Sequence, residues 1–320
     1  MDRQGSLTAL RRAVLEFERA HDVGPDSWCV ALSGGADSLA LTAVAAALRP
    51  TTALIVDHRL QPGSAEVAAE ARERALGFGC VDARVVEVTV GTAGGPEAAA
   101  RTARYAALDD ARRGAVVLLA HTLDDQAETV LLGLGRGSGP RSLAGMRAYD
   151  APWGRPLLGI RREATHAACA ELGVAPWQDP HNADPRYTRA RLRAEVLPLL
   201  EEVLGGGVAA ALARTAAALR EDTDTLDDQA GHLRADIVED GTLETARLAG
   251  LPASIRRRVI RGWLLDGGAT GLTDKHIRGV DVLITDWRGQ GGVAVSSPLR
   301  GQRMFAERRD GELVLRREPV

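Results

Sequence analysis

Cysteine, lysine and aromatic residues are all scarce in this chain. The three cysteines, Cys29, Cys80 and Cys169, are widely separated and form no C-x-x-C pair. That spacing argues against a metal cluster, a redox disulfide or a disulfide-stapled secreted fold, and all three read as small buried apolar residues. Lys275 is the one lysine among 40 basic residues, so nearly all positive charge sits on arginine. A coding bias toward arginine and alanine accounts for that total, and only the places where arginines gather are informative. No apolar run approaches the ~18 residues of a membrane span. No signal-peptide pattern precedes the first helical stretch, whose Leu7, Leu10, Val14 and Phe17 share one face. A cytoplasmic protein with no membrane partner is therefore expected. The net charge of −3 gives no bulk basic field to attract nucleic acid. What is present, 320 residues of which 45% are hydrophobic, suffices for a sizeable core and for about two domains.

Residues 28–32, 52–56, 83–90 and 115–120 are apolar or β-branched and read as strands. Between and after them, 38–48, 64–77, 96–112 and 122–134 read as helices. This alternation predicts an α/β fold with a doubly wound parallel sheet. Ligands in such sheets sit beyond the carboxyl ends of the strands, near the switch in strand order. The residues that follow strands here are Ser33, the pair Asp57-His58, and His121.

The first of these opens the string Ser33-Gly34-Gly35-Ala36-Asp37-Ser38, between a strand and a helix. A strand turning through paired glycines into a helix presents backbone N–H groups at the helix's positive end, which suits a phosphate chain. The kinase-type loop G-x-x-x-x-G-K-[ST] carries a lysine for the β/γ-phosphates and this one does not, which disfavours γ-phosphoryl transfer. A capped Gly-Gly turn is the plain alternative. The string resembles the PP-loop of the ATP pyrophosphatases. That resemblance implies that the β/γ-phosphates are held, the α-phosphorus is attacked, and pyrophosphate leaves as a substrate oxygen is adenylated.

Three further groups of residues carry chemistry. Asp57-His58 stands where this architecture often contacts adenine or ribose, although polar pairs are common at strand ends. Arg101 and Arg104, three apart on a helix opened by Pro96 and Glu97, project from one face and suit an α-phosphate on which charge builds; a solvated arginine face is the competing reading. His121, Asp124, Asp125 and Glu128 fall along one side of a helix start. A capping box of Thr122 with Asp125 explains part of that density and leaves the rest, and carboxylate oxygens suit Mg²⁺ bridging ATP better than zinc. The glycine-rich stretch 133–141, with Arg136 and Arg141, reads as an anion-binding lid or as a linker.

Taken together these pieces resemble the tRNA(Ile)-lysidine synthase family: SGGADS at 33–38, VDH at 56–58, EAAARTARY at 97–105, HTLDDQAET at 121–129, RGSGPRSLAGM at 136–146, RPLL at 155–158 and DPHNADPRYTRARLR at 179–193. The resemblance implies a ligase acting on the wobble cytidine of an isoleucine tRNA with a CAU anticodon. ATP adenylates the cytosine C2 oxygen, lysine's amine then displaces AMP, and ATP and Mg²⁺ are required. It implies ATP contacts from Ser33, Gly34, Gly35, Ala36, Asp37, Ser38, Asp57, His58, Arg101 and His121, with Asp37 orienting Mg²⁺. Catalytic work falls to Asp37, Arg101, Arg104, Asp124, Asp125 and Glu128. Asp125 is the expected acceptor of lysine's proton, with Asp124 and Glu128 as rivals. The tRNA contacts implied are Arg136, Arg141, Arg186, Tyr187, Arg189, Arg191 and Arg193. Ala190 departs from the family pattern, which has asparagine there.

Beyond residue 200 the alternation stops. Residues 201–229 read as a linker helix interrupted near Gly205-Gly206-Gly207. Two or three helices over 245–284 include Arg256-Arg257-Arg258 with Arg261, and 290–320 alternate like short strands carrying Arg300, Arg303, Arg308 and Arg309. The expected layout is a catalytic PP-loop domain over 1–200, the linker over 201–229, and a smaller α+β tRNA-binding domain over 230–320. A homodimer is left open. Rival readings are a tRNA 2-thiocytidine synthase, which the absence of paired cysteines disfavours, and a nucleotide-sensing module without turnover.

Overall fold

The computed structural model describes residues 5–23, 27–61, 63–91, 95–137, 139–180, 184–297, 299 and 301–319. Two compact units emerge, one made of Met1–Leu131 with Gly145–Arg214, the other of Leu132–Ala144 with Thr215–Val320.

The first unit begins with α1 (Ser6–His21) and then alternates through β1 (Trp28–Ala31), α2 (Ala36–Leu48), β2 (Thr51–Asp57), α3 (Ser64–Gly77), β3 (Asp82–Glu87), α4 (Pro96–Ala111), β4 (Val116–Leu118) and α5 (Leu123–Gly135). After the short α6 (Pro140–Leu143) come β5 (Tyr149–Asp150), β6 (Trp153–Gly154) and α7 (Arg162–Glu171). The sheet runs β3-β2-β1-β4-β6-β5, parallel except for β5. Its order reverses between β1 and β4, so the turn after β1 opens at the switch point where such sheets bind ligands.

Local sequence explains the layering. The α2 residues Leu39, Ala40, Leu41, Val44 and Ala45 are almost fully buried, because this helix is covered by the sheet on one side and by α1 and α7 on the other. A helix covered on both sides has no need of a polar stripe. The amphipathic α1 buries Leu10, Val14 and Phe17, three of the four residues that its spacing places inward, with Leu7 partly buried. The third strand ends at Glu87, three residues short of the apolar run. Gly145 is required where it stands: its φ is +62°, and a Cβ there would lie 2.5 Å from Gln126 Oε1, which accepts the Met146 N–H at 2.7 Å.

Past α8 (Thr188–Arg191) the backbone widens into a π-helical turn, Leu192–Val196, then runs through α9 (Leu197–Val203). Gly205, Gly206 and Gly207, all at positive φ, end that helix. The next one, α10 (Val208–Ile237), is capped by Glu201, whose carboxylate accepts from Val208 and Ala209 N–H groups at 3.0 Å each.

The second unit has an antiparallel sheet of β7 (Val238–Glu239), β8 (Thr242–Glu244), β9 (Val293–Val295), β10 (Gln302–Arg309) and β11 (Glu312–Pro319), in the order β7-β8-β11-β10-β9. It packs with α11 (Thr245–Ala249), α12 (Ala253–Asp266) and α13 (Asp274–Thr285) around Val259, Ile260, Trp263, Leu264, Val280, Leu283, Met304 and Leu313. Among the described residues, no single helix is long and apolar enough to cross a membrane.

Candidate active site

The turn from β1 into α2 forms a cradle. Gly34 sits at φ +83°, a conformation glycine adopts without strain. The Ser38 hydroxyl donates to the Gly35 carbonyl (3.0 Å) and accepts from the Ser33 N–H (3.2 Å), which draws the loop round its own base. No side chain caps the N-terminus of α2 at Gly35, so the first-turn amides there are left for an anion. Ala36 and Ser38 are buried and Ser33 is exposed.

Helix α4 carries a pair of cations with no carboxylate to answer them among the described residues. Arg101 and Arg104 flank Tyr105, their guanidinium carbons 4.8 and 5.6 Å from its ring centre, and Arg101 also donates to the Tyr105 hydroxyl at 3.2 Å. Tyr105 is braced edge-on by Trp153. Neither arginine has an ion-pair partner among the described residues. Burial lowers the pKa of Arg104, and the like charges of Arg101 and Arg189 act in the same sense against the pull of Tyr105.

Two histidines feel these arginines. His58 follows β2 next to the buried Asp57, which accepts the Arg59 N–H at 2.9 Å. His121 follows β4. The Nδ1 atoms of both rings are buried without a hydrogen-bond partner. Burial, reinforced by Arg104, lowers the pKa of His58. Burial pushes that of His121 down to about 3, with Arg155, Arg104 and Arg101 adding to it against the attraction of Asp125. Both rings are therefore neutral at ordinary pH. Orphaned buried polar atoms are rare, and two of them among unpaired arginines suit a ligand rich in acceptors.

At Asp37, the acidic residue of the turn, the charges are paired. Arg162, the first residue of α7, reaches the carboxylates of Asp125 (2.7 Å), Glu128 (3.4 Å) and Asp37 (3.5 Å), while its backbone N–H donates to Asp124 at 2.8 Å. Arg161 pairs with Asp124 at 3.1 Å, and Arg193 donates from Nε to Glu128 at 2.8 Å. Burial opposes the charge on Arg162, but Asp125, Glu128, Asp37 and Asp124 together hold its pKa above the ordinary value. Asp37 also accepts from the Thr165 hydroxyl; burial raises its pKa, against the opposing effects of Thr165 and Arg162.

The expected capping box is present in modified form. Asp125 Oδ2 accepts both the Thr122 N–H and the Thr122 hydroxyl, at 2.8 Å each. With Oδ1 bound by Arg162, both oxygens are engaged; burial would raise its pKa, yet Arg162, Thr122 and His121 hold it below the usual carboxylate range. These contacts fix the Asp125 carboxylate beside Arg162.

Four of the arginines expected to contact tRNA divide differently. Arg186 is exposed and pairs with Asp184, and Arg191 pairs with Glu195. Arg189 turns toward Thr129, and Arg193 enters the acidic cluster. Tyr187 is half-buried just before α8. Ala190 is buried with 8% exposure. Arg136 and Arg141 belong to the second unit, where Arg141 pairs with Asp227. Ser138, Asn182, Ala183 and Arg300 lie outside the described residues. Arg162, Arg161 and Thr165 had not been singled out; the signal available was the Arg-Arg pair just after RPLL, at the start of a helical run.

Comparison with known proteins agrees with this geometry. A family model described as a PP-loop domain matches residues 8–200, and one described as the TilS substrate binding domain matches residues 243–314. A tRNA(Ile)-lysidine synthase of Mycobacterium bovis is 68% identical over 324 aligned positions, covering 100% of both chains. The chain belongs to the tRNA(Ile)-lysidine synthase family. Another tRNA(Ile)-lysidine synthase, from Mycobacterium leprae, is 65% identical over 100% of both chains. Among solved structures, the U34-tRNA thiolase NcsA of Methanococcus maripaludis superposes with a TM-score of 0.54 at 17% identity, covering 68% of this chain and 80% of its own, a likeness of fold.

Proposed function

We propose that this member of the lysidine synthase family adenylates the wobble cytidine of an isoleucine tRNA with a CAU anticodon and then joins lysine to it, in the cytoplasm. One observation carries the reading. Within the first unit, Asp37 joins the amide cradle to a cluster of carboxylates, and the orphaned His121 lies under the influence both of Asp125 in that cluster and of the unpaired Arg101 and Arg104.

The cradle suits the β/γ-phosphates, and Arg101 and Arg104 suit the α-phosphate, where charge accumulates as the cytosine C2 oxygen attacks and the bond to pyrophosphate breaks. His58 and His121, neutral, offer hydrogen bonds to the nucleotide without adding charge. Asp37 is the carboxylate nearest the cradle and suits Mg²⁺ held chiefly by substrate phosphates. Among the described residues, no group of three or more His, Cys, Asp or Glu is disposed to hold a metal by itself, which fits that arrangement. When bound, Mg²⁺ would neutralise phosphate charge.

In the second half of the reaction lysine's ammonium first gives up a proton to become an amine, the amine's lone pair attacks C2, the C2–O bond breaks with its electrons leaving on AMP, and the nitrogen releases a second proton to solvent. Lysine arrives as an ammonium, which the cluster of Asp124, Asp125 and Glu128 would hold. These three carboxylates and Asp37 are faced by Arg161, Arg162 and Arg193, so the cluster is a seat for cationic groups. A cavity of about 420 Å³ lined by Asp124, Arg161, Arg162, Glu163 and His166 opens beside the cluster and offers both signs of charge to an amino acid.

The test is mass spectrometry of the tRNA after incubation with ATP, Mg²⁺ and lysine. A cytidine heavier by one lysine less one water is expected. Pyrophosphate release without that gain, or incorporation of sulfur, would overturn the reading. Sulfur chemistry is disfavoured because Cys29, Cys80 and Cys169 are buried and unpaired.

A further inference from the structure

Two of the three arginines at the acidic cluster, Arg161 and Arg162, are built into the start of α7. The third, Arg193, comes from the π-helical turn of residues 192–196, and π turns concentrate at functional sites. Its guanidinium contacts Glu128 at 2.8 and 3.3 Å and Asp125 at 3.4 Å. Glu128 is wholly buried, whereas the Arg193 side chain keeps 35% of its surface exposed. This pair therefore has a fixed anionic end and a cationic end that reaches solvent. Arg189 and Arg191 lie within four residues of Arg193.

We propose that Arg193 occupies, in the free protein, the place taken by lysine's ammonium during the reaction, and that phosphates of bound tRNA draw it away. The proposal rests on reading the acidic cluster as the seat of lysine. A guanidinium and an ammonium cannot share the same two carboxylates without like charges standing in contact. Arginine binds phosphate in a bidentate manner as readily as carboxylate, so an RNA backbone is a competitor able to remove it. Glu128 and Asp125, still held by Arg162, are then short of one cation. The consequence is an order of binding: lysine enters the tRNA-loaded protein in preference to the free one, and an amine is admitted when a base is present to receive it.

Calorimetric titration of L-lysine into the full chain, with and without a tRNA(Ile) transcript bearing a CAU anticodon, tests this. For the wild type, tRNA should tighten lysine binding by about tenfold, the equivalent of one charge-assisted contact. Arg193→Gln should tighten lysine binding by a similar factor without tRNA and abolish most of the further gain on adding it. Equal wild-type affinities with and without tRNA would overturn the proposal, and that arm needs no variant. So would an Arg193→Gln protein that melts cooperatively and binds lysine no better, as a purely structural residue would, or binds it more weakly, as a residue gripping lysine's carboxylate would. Glu128→Gln and Asp125→Asn separate the two readings. If both bind lysine like the wild type, the seat itself is misassigned; if they lose lysine while Arg193→Gln gains nothing, displacement alone fails.

Discussion

Arg101 and Arg104 on α4 and the run Arg256, Arg257 and Arg258 on α12 look alike in the sequence and differ in what surrounds them. On α12 each charge of this run is answered within the chain. Asp281, itself buried, takes Arg256 at 2.6 Å and Arg257 at 2.8 Å, and Asp227 takes Arg258 at 2.8 Å. On α4 the arginines meet the face and hydroxyl of Tyr105, which leaves their charge available. A density of arginine is therefore no measure of affinity for phosphate. What counts is whether a carboxylate has already consumed the charge, and the basic run expected to touch tRNA is largely consumed.

The comparison can be broken most directly at Arg104. Arg104→Ala should lower kcat/KM for tRNA-dependent pyrophosphate release by roughly 10²–10³-fold, as for loss of one preorganised transition-state donor, with little change in melting temperature. A large loss of stability with normal turnover would place Arg104 with the structural arginines. Next in size, Arg256→Ala strips a buried carboxylate of its closest partner and should cost about 3 kcal/mol by denaturant titration. A variant that stays stable but loses tRNA affinity would erase the distinction between the helices.

An effect of pH sharpens the contrast. The unfolded chain protonates His121 near 6.5, whereas the folded protein holds it neutral down to about 3, by burial and by the same unpaired arginines. Between those values the unfolded state binds the extra proton, so stability falls as pH drops through the window. His121→Gln should flatten that part of the melting-temperature profile; an unchanged slope would mean the ring is not held neutral. Asp281 works at lower pH. Burial raises its pKa, but Arg256 and Arg257 outweigh this and depress it, so its stabilisation is present above the unfolded carboxylate value and is lost on acidification through the lower folded one. The smallest effect belongs to Arg257→Ala, whose half-exposed side chain should contribute at most about 1 kcal/mol.

Much of the first unit was legible because its signals are local. Strand and helix alternation, the glycine turn at 34–35 and the Thr122–Asp125 cap each depend on residues a few positions apart, and the elements fall within a residue or two of expectation except at the end of β3. The helix interrupted at Gly205-Gly206-Gly207 was equally readable, since three consecutive residues at positive φ cannot continue a helix. Arg162 was not. Its partners Asp37, Asp124, Asp125 and Glu128 precede it by 34 or more positions, and beyond the Arg161-Arg162 pair nothing in the local pattern of α7 distinguishes it from a first-turn surface arginine. The same holds for Arg193, whose neighbours Arg186 and Arg191 pair outward with Asp184 and Glu195.

By itself the sequence determined the doubly wound layer, the glycine turn of the PP-loop and the family, because backbone conformation follows from periodicity, glycine placement and capping over short spans. Only the tertiary structure decided which charges remain for a ligand. Ion pairing depends on distances of about 3 Å between residues far apart in the chain, and a carboxylate brought within that distance gives an arginine a partner that a phosphate must displace.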